Sequence, residues 1–123
     1  MTPQRGVIRV DERGSTVVCD ERRVSLTRQQ MLILGILIRQ KGVVSYDEVR
    51  RAIDPDARLA NAAAQVTTQI ANIRRLLSRA DIPLSILTVH GRGYYLEPGV
   101  ELVSSSKGPA GARVGRTRRR NRQ

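Results

Sequence analysis

Residues Ile86–Glu97, ILTVHGRGYYLE, read as two short strands closed by glycines. Aliphatic, β-branched and aromatic residues flank a turn that carries His90 and Arg92 next to Gly91 and Gly93. Such a hairpin holds a cation out in solvent, and nothing else in the chain offers a catalytic apparatus. Its purpose has to be read from the segments before it, above all from an arginine-bearing helix.

That helix is expected to start after Asn61, as N-cap, with three alanines followed by QVTTQIANIRRLLSRA. Val66, Ile70, Ile73 and Leu77 repeat at helical spacing and form a single apolar stripe. At about 100° per residue, the opposite face carries Ala64, Thr68, Ala71, Asn72, Arg75 and Arg79, with Gln65 near its edge. No acid occurs between Ala57 and Ala80. The helix therefore offers one face to a core and a cationic, amide-rich face to solvent, and Pro83 separates it from the hairpin.

Two further helices precede it. The sequence TRQQ is a capping box, Thr27 with Gln30, opening a helix that runs through MLILGILIRQK to a stop at Gly42. Gly35 weakens that helix by about 1 kcal/mol relative to alanine, an expense that close packing is expected to offset. SYDE, Ser45 to Glu48, opens a short second helix through Ile53, which DPD ends because Pro55 disfavours helical geometry just before it. Upstream, VIRVDERGSTVVCDERRVSLT holds three apolar, β-branched clusters separated by turn and charge signals, hence three short antiparallel strands.

The core has to be aliphatic, since the 123 residues include no Phe or Trp. Cys19 is the single cysteine and has no internal disulfide partner, which suits a reducing cytosol. The longest apolar run, MLILGILI, is far short of the roughly 20 residues that span a bilayer, and the N-terminus has no apolar signal core. A cytoplasmic location, without membrane, is expected. Charge is the informative quantity. The chain carries +11, of which residues 103–123 contribute +7 with no acid, leaving +4 on residues 1–102. Such an excess calls for a polyanion. Residues 1–102 are expected to fold, and 103–123, SSSKGPAGARVGRTRRRNRQ after Val103, to be a disordered basic tail.

Three strands, three capped helices and a terminal hairpin, in that order, resemble the OmpR/PhoB-type winged-helix DNA-binding domain. VSLTRQQMLILGILI is similar to the family's strand–Leu–Thr–helix opening, and GVVSYDEVRRAI to its second helix. VTTQIANIRRLL is similar to its recognition helix, and ILTVHGRGYYLE to its Thr-Val-x-Gly-x-Gly-Tyr wing. The resemblance implies an α+β winged helix-turn-helix: an N-terminal antiparallel sheet, three helices and a C-terminal wing. It also implies double-stranded DNA as partner, with the third helix in the major groove and the wing at a minor groove. RNA polymerase, touched through the loop DPDARLANAA, and a second copy bound on DNA are the further partners. The chain begins almost at its first strand, so no receiver domain and no control by an aspartyl phosphate is expected.

On that footing Gln65, Thr68, Asn72 and Arg75 are the expected base readers, since Gln and Asn suit adenine, Arg suits guanine and a Thr methyl suits thymine. Arg74 and Arg79 are expected on phosphates. His90 and Arg92 are expected at the minor groove, Arg92 the more so, because arginine favours narrow, negative grooves. Gly91 and Gly93 are expected to let the turn come near the sugar-phosphate chain. Tail residues Arg116, Arg118, Arg119, Arg120 and Arg122 are expected on phosphates through counterion release. Family members commonly carry arginines where this chain has Ala71 and Asn72, which shifts the expectation toward weaker or A·T-directed base reading. The leading function is thus a sequence-preferring, DNA-binding transcriptional regulator. The rivals are a nucleoid-associated, architectural DNA binder and a protein-interaction adaptor. No enzyme, metal or cofactor is expected: no paired-carboxylate, metal-spaced or nucleophile-elbow pattern occurs, and no helix follows GRGYYL to make it a dinucleotide loop.

Overall fold

Alternation of apolar and polar residues sets the first three strands, β1 (Ile8–Asp11), β2 (Thr16–Cys19) and β3 (Arg22–Ser25). Ile8, Val10, Val17, Cys19 and Val24 point inward and are buried, while Arg9, Asp11, Arg22 and Arg23 face solvent. The computed structural model describes residues 6–105, so the expected tail contacts of Arg116, Arg118, Arg119, Arg120 and Arg122 lie outside the described residues.

Helix α1 (Arg28–Arg39) starts at the expected capping box, with both reciprocal bonds between Thr27 and Gln30 made. It ends at Arg39 with Gln40 as C-cap, before the expected stop at Gly42, whose φ of +87° serves the turn instead. Gly35 is buried, and a Cβ there would collide with the Glu12 carboxylate, which is paired to Arg39 at 2.8 Å. Those contacts are the far ends of two flexible side chains, which can shift for a Cβ, so the packing does not by itself require glycine inside the helix. Next come β4 (Val44–Ser45), α2 (Tyr46–Ile53), α3 (Ala62–Arg79), and the hairpin β5 (Leu84–Val89) and β6 (Gly93–Pro98). The Ser45–Glu48 capping box of α2 is also complete. Among the described residues, no helix is long and apolar enough to cross a membrane.

Two strands were not anticipated. β4 is only two residues, pairing Val44 with Tyr94 and Ser45 with Gly93 to give a sheet ordered β4-β6-β5. β7 (Leu102–Ser105) runs parallel to β1 and makes the first sheet β3-β2-β1-β7, antiparallel only across its first three strands. The ladder runs three residues past the expected boundary after residue 102. Ser104 and Ser105 belong to it: Ser104 Oγ donates to Glu12 Oε2 (3.2 Å) and Ser105 Oγ to the Val10 carbonyl (3.4 Å). The core lies between the two sheets and the three helices, around Ile33, Leu34, Val49, Ile70, Ile73 and Leu77.

Candidate nucleic-acid interface

Helix α3 divides along its length as its periodicity predicts. Val66, Ile70, Ile73 and Leu77 are all buried, each gaining about 1.5–3 kcal/mol from leaving water. Ala64, Thr68, Ala71, Arg75 and Arg79 are exposed, joined by Ala63, Thr67, Arg74 and Ser78. Asn61 takes the expected N-cap position, its carbonyl accepting from the Gln65 N–H (2.9 Å), but its side chain forms no cap bond and its φ and ψ, −124° and 49°, are not extended. Asn72 is half-buried, and its Oδ1 accepts from Arg75 Nη1 at 3.0 Å. One helical turn thus holds an amide and a guanidinium side by side on the outer face.

Gln65, placed near the edge of the exposed face, and Arg74, expected on phosphate, both make hydrogen bonds within the protein. Gln65 is half-buried against α1, its Oε1 accepting from Gln29 Nε2 at 3.1 Å. Arg74 turns toward β5, its Nε donating to the Ile86 carbonyl (2.8 Å) and its Nη2 to Thr88 Oγ1 (2.9 Å). Its guanidinium therefore ties α3 to the wing. Arg79 stays exposed.

The wing tip is short and held from below. Gly91 has φ +77°, the left-handed geometry glycine tolerates best, and Arg92 N–H donates to the Val89 carbonyl at 2.9 Å. His90 and Arg92 are both exposed. Gly93 is buried, and a Cβ would strike the Val44 carbonyl of β4, so packing within the protein itself requires glycine there. Tyr46, unremarked in the sequence, packs edge-to-face on Tyr94 with ring centres 5.3 Å apart, and its hydroxyl donates to the Val89 carbonyl (3.3 Å). An aromatic at the first position of α2 carries no periodic signal, so only the fold brings it to the wing. α2 and α3 thus each brace the hairpin with one side chain, Tyr46 and Arg74.

Electrostatically, α3 itself carries cations and no acid, while Asp47 of α2 shares a groove with its Ala63 and Thr67. The ion pairs among the described residues involve Arg22, Arg39, Arg50 and Arg51, leaving Arg75, Arg79 and Arg92 outside them. Two acids, Asp47 and Glu48, stand in the first turn of α2. The hydrogen bond from Arg50 holds Asp47 below the usual carboxylate range. Glu48 is held low by Gln40 and by the Ser45 backbone N–H it caps. In the α2–α3 loop, Asp54 is buried, its carboxylate accepting from the backbone N–H of Arg58 (2.8 Å) and Leu59 (3.1 Å). It is therefore a loop-building residue rather than a solvated charge, and Asp56 and Arg58 remain exposed.

Comparisons agree on the architecture. The DNA-binding domain of Escherichia coli CadC superposes with a TM-score of 0.62 at 24% identity, over 78% of this chain and 95% of that one. The AdeR response-regulator DNA-binding domain, solved with an intercistronic region, gives 0.61 at 22%, over 74% and 94%. The C-terminal domain of the nisin resistance regulator NsrR gives 0.58 at 22%, over 68% and 85%. At these identities the likeness is one of fold. No curated protein matches the chain. The family described as "Transcriptional regulatory protein, C terminal" matches residues 21–96, from β3 to β6. The chain belongs to that family, and it is a DNA-binding transcriptional regulator of the OmpR/PhoB winged-helix type.

Proposed function

We propose that α3 enters the major groove and that the β5–β6 wing lies at the neighbouring minor groove. The observation that carries this is the continuous, acid-free outer face of α3, joined by Arg74 to an exposed cationic wing tip. Thr68, Asn72 and Arg75 read bases on that face, with Gln65 at its edge; Arg79 holds phosphate. His90 and Arg92 reach the minor groove. Arg74 positions the wing. Selection of duplexes from a randomised pool by the full chain tests the reading. A defined motif that Arg75→Ala relaxes at one position, while Arg92→Ala lowers affinity for all members, supports it. Retention of duplexes without any shared motif would instead establish an architectural DNA binder.

The α2–α3 loop is the surface we assign to RNA polymerase, because Asp54 fixes its backbone while Asp56, Arg58 and Leu59 stand exposed. A double Asp56→Ala, Arg58→Ala variant is expected to keep DNA binding and lose transcriptional output. Unchanged output removes the assignment.

A further inference from the structure

Four glutamines join α1 to α3 in a single file. Thr27 N–H donates to Gln30 Oε1 (2.9 Å), and Gln30 Nε2 to Gln69 Oε1 (2.9 Å). Gln69 Nε2 donates to Gln29 Oε1 (3.0 Å), and Gln29 Nε2 to Gln65 Oε1 (3.1 Å). The file has a direction. Each carboxamide has one accepting and one donating end, and the file starts at a backbone N–H, which only donates. Gln30 must therefore turn its carbonyl to Thr27, and each following amide is oriented by the one before it. Reversing any interior member alone would set carbonyl against carbonyl and amino against amino at its two contacts. Gln30 is buried and Gln29 and Gln69 are half-buried, so an unmatched pair there would lose its bonds with little water to replace them.

Gln65 ends the file at the edge of the exposed face of α3. With its carbonyl turned in to Gln29, its amino group is the end left toward solvent. We propose that the file fixes Gln65 as a hydrogen-bond donor toward the base edges, with Gln29 as its positioning residue. This rests on the reading of α3 as the helix in the major groove. A donor favours guanine, whose edge there offers two acceptors, and disfavours cytosine, which offers only an amino group. The orientation of one amide, set four bonds away at the α1 cap, thus becomes part of the specificity.

Site selection from a randomised duplex pool with the full chain tests this, using wild type, Gln29→Glu and Gln65→Glu. Gln29→Glu keeps an acceptor for Gln69 but removes the donor to Gln65, so Gln65 turns its amino group inward and its carbonyl outward. Gln65→Glu keeps the acceptor for Gln29 and places a carboxylate oxygen outward. Both present an acceptor by different routes. The expected result is a fall of about twofold to tenfold in the guanine-to-cytosine ratio at one and the same position in both variants. Other positions hold, while overall affinity drops from the added charge. An unchanged preference with Gln29→Glu overturns the inference, whether or not the melting temperature falls. So does a change with Gln65→Glu alone, because Gln65 then orients itself. A uniform loss of affinity without any change in preference places the amino group on phosphate and overturns it too. Should Gln29→Glu fail to fold, Gln29→Ala, which releases Gln65, is expected to flatten the preference at that position only; an unaltered preference there is equally fatal. A wild type that selects no sequence removes base reading by α3, on which the inference rests.

Discussion

Arg74 donates to the Ile86 carbonyl and to Thr88 Oγ1, both on β5, and its exposed position on α3 would equally suit a phosphate. The two roles separate experimentally. As a brace it holds two acceptors in a fixed fork that lysine, a single point donor, does not reproduce. Arg74→Ala is expected to cost about 1–2 kcal/mol of stability, and Arg74→Lys to recover less than half of that loss, by thermal melting. DNA affinity should fall in both with the salt dependence nearly unchanged. A salt slope reduced by about one in Arg74→Ala, with Arg74→Lys binding like wild type, would return Arg74 to the phosphates. The sequence leaves Arg74 out of the apolar stripe of α3, since a helix buried on one face writes that burial into its own local pattern. It did not disclose the partners, which lie 12 and 14 residues away on a strand that only the tertiary fold swings under the guanidinium. Gln65 differs for the same reason: its partner Gln29 is 36 residues earlier.

At the scale of elements, helix starts were legible where the capping chemistry is local. Both boxes, Thr27 with Gln30 and Ser45 with Glu48, close as the residues predict. The second box has a pH consequence. Glu48 is held below its ordinary value of 4.5, chiefly by Gln40 and then by the Ser45 N–H, so the folded state prefers the ionised form. A lowered folded-state value gives stability that is present above the unfolded value and is lost as pH falls through the folded one. Wild type should therefore lose melting temperature below about pH 4.5, and Glu48→Gln, which keeps an acceptor without titrating, should show a flatter profile. Parallel slopes for the two would detach the cap from the acid transition. Strand β7 was illegible because its partner, β1, is some 94 residues earlier and its four residues alternate only weakly, Leu102 and Ser104 inward. A chain ending at Val100 uncovers the β1 edge and loses the packing of Leu102, which is expected to cost about 1–3 kcal/mol, roughly 4 °C or more. A chain ending at Ser105 should melt with the full protein. Equal melting of all three would mean that β7 adds nothing to the domain.

For the whole molecule, charge and fold act on different parts of the binding energy. The exposed face of α3 is small at Ala63, Ala64 and Ala71, so few side chains there reach base edges, and affinity has to come largely from phosphates. Seven cations and no acid follow Val103. We propose that they track the backbone of the DNA that α3 and the wing have engaged. Each phosphate neutralised steepens the fall of log K with log salt by about 0.9 on duplex DNA. Full engagement of seven cations therefore adds about six to the slope, and truncation after Ser105 should remove that amount while leaving the selected motif in place. At low salt the truncated chain should bind more weakly by orders of magnitude, and near 1 M salt the two chains should converge, because the release of condensed ions then gains little. Comparison of the two isotherms from about 0.05 to 0.5 M salt decides the matter. A slope that truncation leaves untouched would place the tail on something other than DNA, and the domain of residues 6–105 would then have to account for the whole electrostatic term with its net charge of only a few units.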